Sequence, residues 1–163
     1  MKSTDHINYI SIYDKIEVED ALFSRIEAIK KTLTIVTELD KWNFAYAEGK
    51  WTIKEVVQHC IDCERIFSFR AQHIAREDNQ NLNFFDQNEY AVKSNANARE
   101  VKDLIEEWDH LMRSTHYQFL SYNDETLARI GKIGDYEYSV EQLGYIIAGH
   151  AIHHMNIINE RYI

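Results

Sequence analysis

No proline occurs anywhere in the 163 residues, and glycine occurs only five times. Proline breaks helix interiors and glycine raises their entropic cost, so this chain carries few built-in helix breaks. Cysteine is as scarce: the only two are Cys60 and Cys63, in "CIDC". Without a second pair no four-sulfur zinc site can form. A reactive pair sits at a helix N-terminus, whereas this one falls two turns or more inside a predicted helix. Both read as buried structural thiols. Positive charge is also short, with 18 Lys and Arg against 27 Asp and Glu and a formal charge of −9. Such a chain repels phosphate backbones and anionic membrane surfaces on average, so neither nucleic acid nor membrane is an expected partner. Long apolar runs are missing too. No stretch approaches the ~20 residues of a membrane span, and "MKSTDHINYISIYDK" has no apolar run after Lys2, so no secretory signal and a cytoplasmic location are expected.

What remains is helical periodicity along nearly the whole chain, without repeats or low-complexity linkers. A first helix is predicted from about Val18 to Leu39, with Leu22, Ile26, Ile29, Leu33 and Val36 at three- and four-residue steps. The pair Thr52 and Glu55 forms a capping-box signature that opens a second helix, continuing to about Arg76. A third is expected to open near Asn97, with Glu100 three residues on, and to carry Val101, Leu104, Ile105, Trp108, Met112 and Phe119. Ser139 and Gln142 open a fourth, which runs to the chain end. Four long helices in a chain of this length predict an all-α, single-domain protein over residues 1–163, a four-helix bundle. The short link between the first two helices predicts that they are antiparallel. The third and fourth are expected to be antiparallel across "SYNDETLARIGKIGDYEY". Between the second and third lies "EDNQNLNFFDQNEYAVKSNA", roughly 20 residues, long enough when extended to run back along a helix. An up-down-down-up bundle with a long crossover follows.

The last helix contains "IIAGHAIHHMNIINERYI", with histidines among isoleucines. At 100° per residue, His150 and His154 fall within about 20° of Leu143, at the centre of the apolar stripe, and His153 falls about 80° away at its edge. A lone histidine on such a face is ordinarily a hydrogen-bonded core residue. Two at i and i+4 stack on one face, and burying two adjacent rings that cannot both be charged is expensive unless they share a cation. A third ligand is available in His59 of "EVVQHCIDCER". It lies at the same level as His154 if the two helices are antiparallel with flush ends, roughly 10 to 14 Å from one end of the bundle. Its azimuth, roughly 90° from the apolar centre of its own helix, points it into the seam between helices. Cys63, one turn on, is the reserve ligand.

The stretches "AEGKWTIKEVVQHCIDCERIFSFRAQHIAR", "FDQNEY" and "YIIAGHAIHHMNIINERY" resemble, in this order, the DinB/YfiT-like metalloprotein superfamily, in particular its DinB_2-type members. The likeness runs from about residue 10 to the chain end. It implies an up-down-down-up bundle binding one divalent metal (Zn, Ni, Fe or Mn) through one histidine of the second helix and a His-x-x-x-His pair of the fourth, positions that match His59, His150 and His154. It further implies a cytoplasmic protein, frequent homodimers, and a small-molecule substrate. In some branches it implies a metal-dependent transfer or isomerisation using a low-molecular-weight thiol such as bacillithiol or mycothiol.

Three neutral imidazoles leave a position open on a divalent ion, the pattern of catalytic sites. A bound thiol would be deprotonated there and act as nucleophile in an S-transferase; a bound water would make the protein a hydrolase. A non-catalytic reading, a metal that staples the bundle beside a small-molecule pocket, stays open. A di-iron carboxylate site does not fit, because the one Glu-x-x-His pair, Glu107 and His110, lies on the outer face of its helix. Among Asp62, Glu64, Arg65 and Arg70, a charge run after His59, Glu64 falls on the apolar side and needs a partner. "FFDQNEY" has two readings: a crossover packing its aromatics on the bundle, or a lid over the metal. The candidate substrate contacts are Asp86, Tyr90 and Arg70. Trp51 reads as an anchor for the second helix. His6, His73, His110 and His116 are expected at the surface. Ile152 and Tyr145, on the far side of the last helix, suggest a second buried face and a homodimer.

Overall fold

A computed structural model describes residues 3–13, 15–78 and 82–163, with side chains from His6 onward. Positions 79–81 of the crossover lie outside the described residues. The long helices are α2 (Val18–Glu38), α3 (Ile53–Ala75), α5 (Val101–Leu120) and α7 (Val140–Arg161), with shorter helices α1 (Ser3–Ser11), α4 (Gln87–Lys93) and α6 (Asp124–Leu127) around them. Both expected capping boxes are present. The Thr52 hydroxyl accepts from the Glu55 amide while the Glu55 carboxylate accepts from the Thr52 amide, and Ser139 and Gln142 do the same for α7. Each box satisfies two of the N–H groups that a helix start leaves orphaned.

Helix α5 starts differently from the expectation. Glu100 is its N-cap, without a side-chain capping bond, and Asn97 belongs instead to a single 3-10 turn, Ala96–Ala98. The Asn97 side chain accepts from the Thr52 hydroxyl, so it ties the crossover to the start of α3. The crossover is also not simply extended. Leu82 bridges to Ile133, the Gly134 amide donates to the Leu82 carbonyl at 2.8 Å, and α4 follows with Asp86 as its N-cap. The segment between α5 and α7, expected as a plain connection, contains α6 and an antiparallel hairpin of β1 (Ile130–Ile133) and β2 (Tyr136–Ser139). Gly134, at φ +58, permits its two-residue turn.

Helices α2 and α3 do not pack side by side despite their short link; each packs against both α5 and α7. Cross-helix bonds give the levels: Lys30 to Asp109, Arg65 to Glu107, Asn159 to Thr32, and the Tyr162 hydroxyl to the Trp51 carbonyl. The buried apolar residues form two clusters, one with Leu22, Phe67, Phe119 and Ile146, the other with Ile29, Val57, Trp108 and Ile158. Polar groups sit at the junction. Arg25, wholly buried, donates to both carboxylate oxygens of Glu64 at 2.5 and 3.1 Å and to the carbonyls of Leu22 and Ile147, while the Trp108 indole N–H donates to Glu64 at 3.0 Å. Glu64 thus has the partner that its position demanded, and the pair is hydrogen-bonded well enough to be tolerated in the core.

The far face of α7 is covered from within the chain. Helix α1 lies across it, and its path passes so close to Gly149 that a Cβ there would stand 2.2 Å from the Tyr9 carbonyl oxygen. Tyr145 is buried with its hydroxyl donating to the Ile16 carbonyl, and Ile152 is half-buried. Of the two residues that suggested a second buried face, Tyr145 is therefore covered from within the chain. His6, expected at the surface, is buried for the same reason, 2.5 Å from the Tyr138 hydroxyl. His73 and His116 are half-buried, and His110 is exposed. No described helix is long and apolar enough to cross a membrane.

Candidate metal centre

The i, i+4 spacing on α7 stacks His150 and His154, with ring centres 4.6 Å apart. His59 reaches them from α3: its Nε2 lies 3.1 Å from His150 Nε2, and its ring centre is 5.0 Å from that of His150 and 4.9 Å from that of His154. One nitrogen from each ring falls within 4.8 Å of the others. Metal–nitrogen bonds of ~2.0–2.1 Å in a tetrahedron place ligand nitrogens roughly 3.3 Å apart, close to the His59–His150 separation. His59 and His150 are buried and His154 half-buried. Among the described residues no Cys, Asp or Glu joins the group.

Electrostatics agree with the donor chemistry. Burial, assisted by neighbouring positive charge, lowers the His59 pKa to about 4. Burial first, and then the other histidines, hold His150 and His154 well below the ordinary histidine value. All three rings are therefore neutral at pH 7, the state in which imidazole ligates a metal. The trio can hold one metal ion.

The walls are aromatic. Tyr9 and Phe67 present ring edges to His150 at 5.5 and 6.1 Å, and Trp51 lies 4.9 Å from His59. Trp51 therefore anchors α3 through its carbonyl and also lines the site. His153 sits exposed at the rim against the Tyr9 and His154 rings. On the side of His154 a cavity of ≈ 260 Å³ opens, lined by Trp51, Asn88, Ile157 and Tyr162 among others. Asn88 belongs to α4, so the crossover does reach the mouth of the site.

Cys63, the reserve ligand, has its Sγ 3.6 Å from the His59 ring nitrogens. Burial pushes its thiol pKa up, so it stays protonated and packs beside His59 without joining the trio. Cys60 is likewise a free, buried thiol. Of the candidate substrate contacts, Asp86 is exposed and accepts the Asn88 and Glu89 amides as the α4 cap. Tyr90 is also exposed, its ring 4.9 Å from that of Phe85. Arg70 is buried among phenylalanines, its Nη2 donating to the Asn83 carbonyl at 2.6 Å. Glu107 pairs with Arg65 and Arg99 at the bundle surface, far from any di-iron arrangement with the exposed His110. Tyr9 is the site residue that the sequence reading missed. A helical stripe of His6, Tyr9, Ile10 and Tyr13 was there to find it.

A family model described as the DinB superfamily matches residues 24–158. The fold is also that of YfiT from Bacillus subtilis, described as a probable metal-dependent hydrolase with an unusual four-helix bundle topology. The TM-score is 0.71 at 15% sequence identity, over 98% of this chain and 87% of that one. A likeness at that identity establishes the shared bundle fold. No curated protein matches the chain.

Proposed function

We propose that this chain, which belongs to the DinB superfamily, is a metal-dependent enzyme in which His59, His150 and His154 hold one divalent ion and a bound thiol is the nucleophile of an S-transfer. The observation that carries this reading is the convergence of three neutral imidazoles beside a cavity that opens on His154. Three protein ligands leave room for an exogenous one, and the cavity offers a route to it. Zinc, nickel, iron and manganese all suit imidazole or mixed nitrogen and oxygen sites, so the ion is left as a divalent metal.

A divalent ion in this trio supplies one thing, a lowered pKa for a thiol or water bound beside it. The chain's own residues do the rest. Burial keeps the three rings unprotonated, and one nitrogen of each lies within 4.8 Å of the others. The Tyr9, Trp51 and Phe67 rings pack against the buried His59 and His150 and leave His154 to face the cavity. Because His59, His150 and His154 are neutral ligands, an ion held by them would keep its charge uncompensated in a partly apolar setting and would favour a thiolate over water. Hydrolysis is the second reading, favoured by the description that YfiT carries. The bundle itself is read as up-down-down-up. This is supported by the levels of the cross-helix bonds: Val18 near Gly144 and Thr32 near Asn159, but Trp51 near Tyr162 and His59 near His150.

Cobalt substitution separates the two reactions. Thiolate ligation adds a sulfur-to-metal charge-transfer band that water ligation lacks. Cobalt-loaded protein titrated with bacillithiol-like and simple thiols is expected to develop that band and to conjugate the thiol to a reactive halide or epoxide. His150→Ala and His59→Ala are expected to lose most of the bound metal and both signals, whereas His110→Ala keeps them. No band and no metal-dependent conjugation with any thiol would replace the transferase by the hydrolase. Full metal retention by His59→Ala would remove the site itself.

A further inference from the structure

Of the three tryptophans in this chain, two are fully employed inside the bundle. The Trp42 indole N–H donates to the Thr37 hydroxyl at 3.1 Å and that of Trp108 to Glu64 at 3.0 Å, and both rings are buried. Trp51 differs on both counts. It is half-buried, and its indole N–H has no acceptor among the described residues. Its part in anchoring α3 uses only the main-chain carbonyl, which accepts from the Tyr162 hydroxyl at 2.9 Å and which any residue at this position would supply. The anchoring does not account for the indole.

What the indole does touch is the candidate centre and the cavity beside it. Its ring lies 4.9 Å from that of His59, and it lines the same ≈ 260 Å³ cavity as His154. The ion site and the cavity share a wall. Val56 and Tyr162 of the lining are buried and Tyr46 and Ile157 half-buried, whereas Lys50 and Asn88 are exposed, so the cavity has an apolar floor and a polar rim. The Tyr162 hydroxyl is committed to the Trp51 carbonyl, which leaves ring surface as what the floor presents. Tyr46 and Tyr162 already meet edge to face, at 4.9 Å and 84°, the arrangement in which a positive ring edge meets a negative ring face. A further ring can join them in the same way. An apolar cavity of ~150 Å³ is enough for benzene, so this one takes a single ring with a short substituent.

We infer that the small molecule acted on at this centre carries one aromatic ring, seated in the His154 cavity against the Trp51 indole, and that Trp51 selects it. The inference rests on the proposed function for the chemistry at the reacting end of that molecule. It adds the substrate class: a one-ring arene with a short polar arm. The Trp51 indole N–H is a donor for an oxygen on that arm, and the Asn88 amide, brought to the rim by α4, is another. An aliphatic molecule of equal size would fill the floor but forgo the ring-to-ring attraction.

The test uses the zinc-loaded full chain and the indole Nε1–H NMR signal of Trp51, assigned by its disappearance in Trp51→Leu. Benzyl alcohol is expected to shift that signal saturably, and cyclohexylmethanol, of nearly the same size but without a π face, to bind about three- to tenfold more weakly. In Trp51→Leu, followed through neighbouring amides, that preference is expected to fall below about twofold while zinc content is kept. Ile157→Trp fills the cavity and is expected to abolish the response. In cobalt-loaded protein the ring protons of benzyl alcohol are expected to broaden beyond their width with the zinc form, because the ring sits beside a paramagnetic ion. Chelator-treated protein keeps the two ideas apart. A wrong metal assignment leaves the benzyl alcohol response and its dependence on Trp51 intact, and a wrong ring site leaves metal content intact. No shift at Trp51, equal binding of the two alcohols, an unchanged preference in Trp51→Leu, or an undiminished response in Ile157→Trp would each overturn the aromatic subsite.

Discussion

His59 joins the two helices of the candidate centre, and its protonation state decides whether that centre can form. Its pKa of about 4 lies below the histidine value of an unfolded chain, about 6.5. The unfolded state therefore binds more protons than the folded state between these limits, and stability rises with pH across the window. The contribution is complete above about pH 6.5 and is lost as pH falls toward 4; His59 alone should give a slope of roughly 1 kcal/mol per pH unit between pH 6 and 5. His150 and His154, shifted the same way, add to it. Urea denaturation in the presence of a chelator should show a midpoint that drops steadily from pH 7 to pH 5, and an unchanged midpoint would mean that the imidazoles are not held neutral. The pair on α7 and its partner were legible in the sequence because a helical wheel fixes azimuth within one helix and capping fixes level. Arg25 was hidden in plain view. It sits three residues after Leu22 and four before Ile29, squarely on the apolar stripe, where a sequence reading sees only an interrupted pattern. His6 was misread for another reason: what buries it is a contact with Tyr138, 132 residues away in the chain.

Among the elements, α1 had no place in the four-helix expectation, and it turns a bare face of α7 into an interior. Its seat depends on a single missing side chain. A Cβ at Gly149 would meet the Tyr9 carbonyl carbon at 2.7 Å and Cα at 2.8 Å, all backbone, which cannot swing aside as a side chain can. Gly149→Ala should therefore lift α1 off α7, with amide exchange over residues 9–13 accelerated about tenfold or more, while the four long helices keep their far-UV signal. Unchanged protection of the Ile10 amide in that variant would show that α1 tolerates the methyl group and that the close approach is not what seats it. The starts of α3 and α7 were readable to within a residue, since Thr52, Glu55, Ser139 and Gln142 act locally. The hairpin was signalled only by Gly134 and Asp135, and α4 only by Asp86 ahead of "QNEY", cues too short to outweigh the surrounding helical period.

At the scale of the whole molecule, the long helices alone would make a stable-looking bundle, yet its core is split where Arg25, Glu64 and His150 fall between the two apolar clusters. That split gives a bound ion structural leverage. His59 belongs to the first half of the chain and His150 and His154 to its last helix, so an ion held by all three closes a loop of some ninety residues between elements that meet only in the native state. An ion that binds the folded chain and not the unfolded one adds about 2.7 kcal/mol when present at a hundredfold excess over its dissociation constant. For a chain of this length each kcal/mol moves the midpoint by about 2–4 °C, so metal-loaded protein should melt roughly 5–10 °C above the chelated form. His150→Ala should melt at the same temperature with and without chelator, although its own midpoint differs from that of the parent. If the parent's midpoint were indifferent to chelator after metal loading, the ion would not bridge α3 and α7, and the convergence of the three imidazoles would have to be explained by core packing alone.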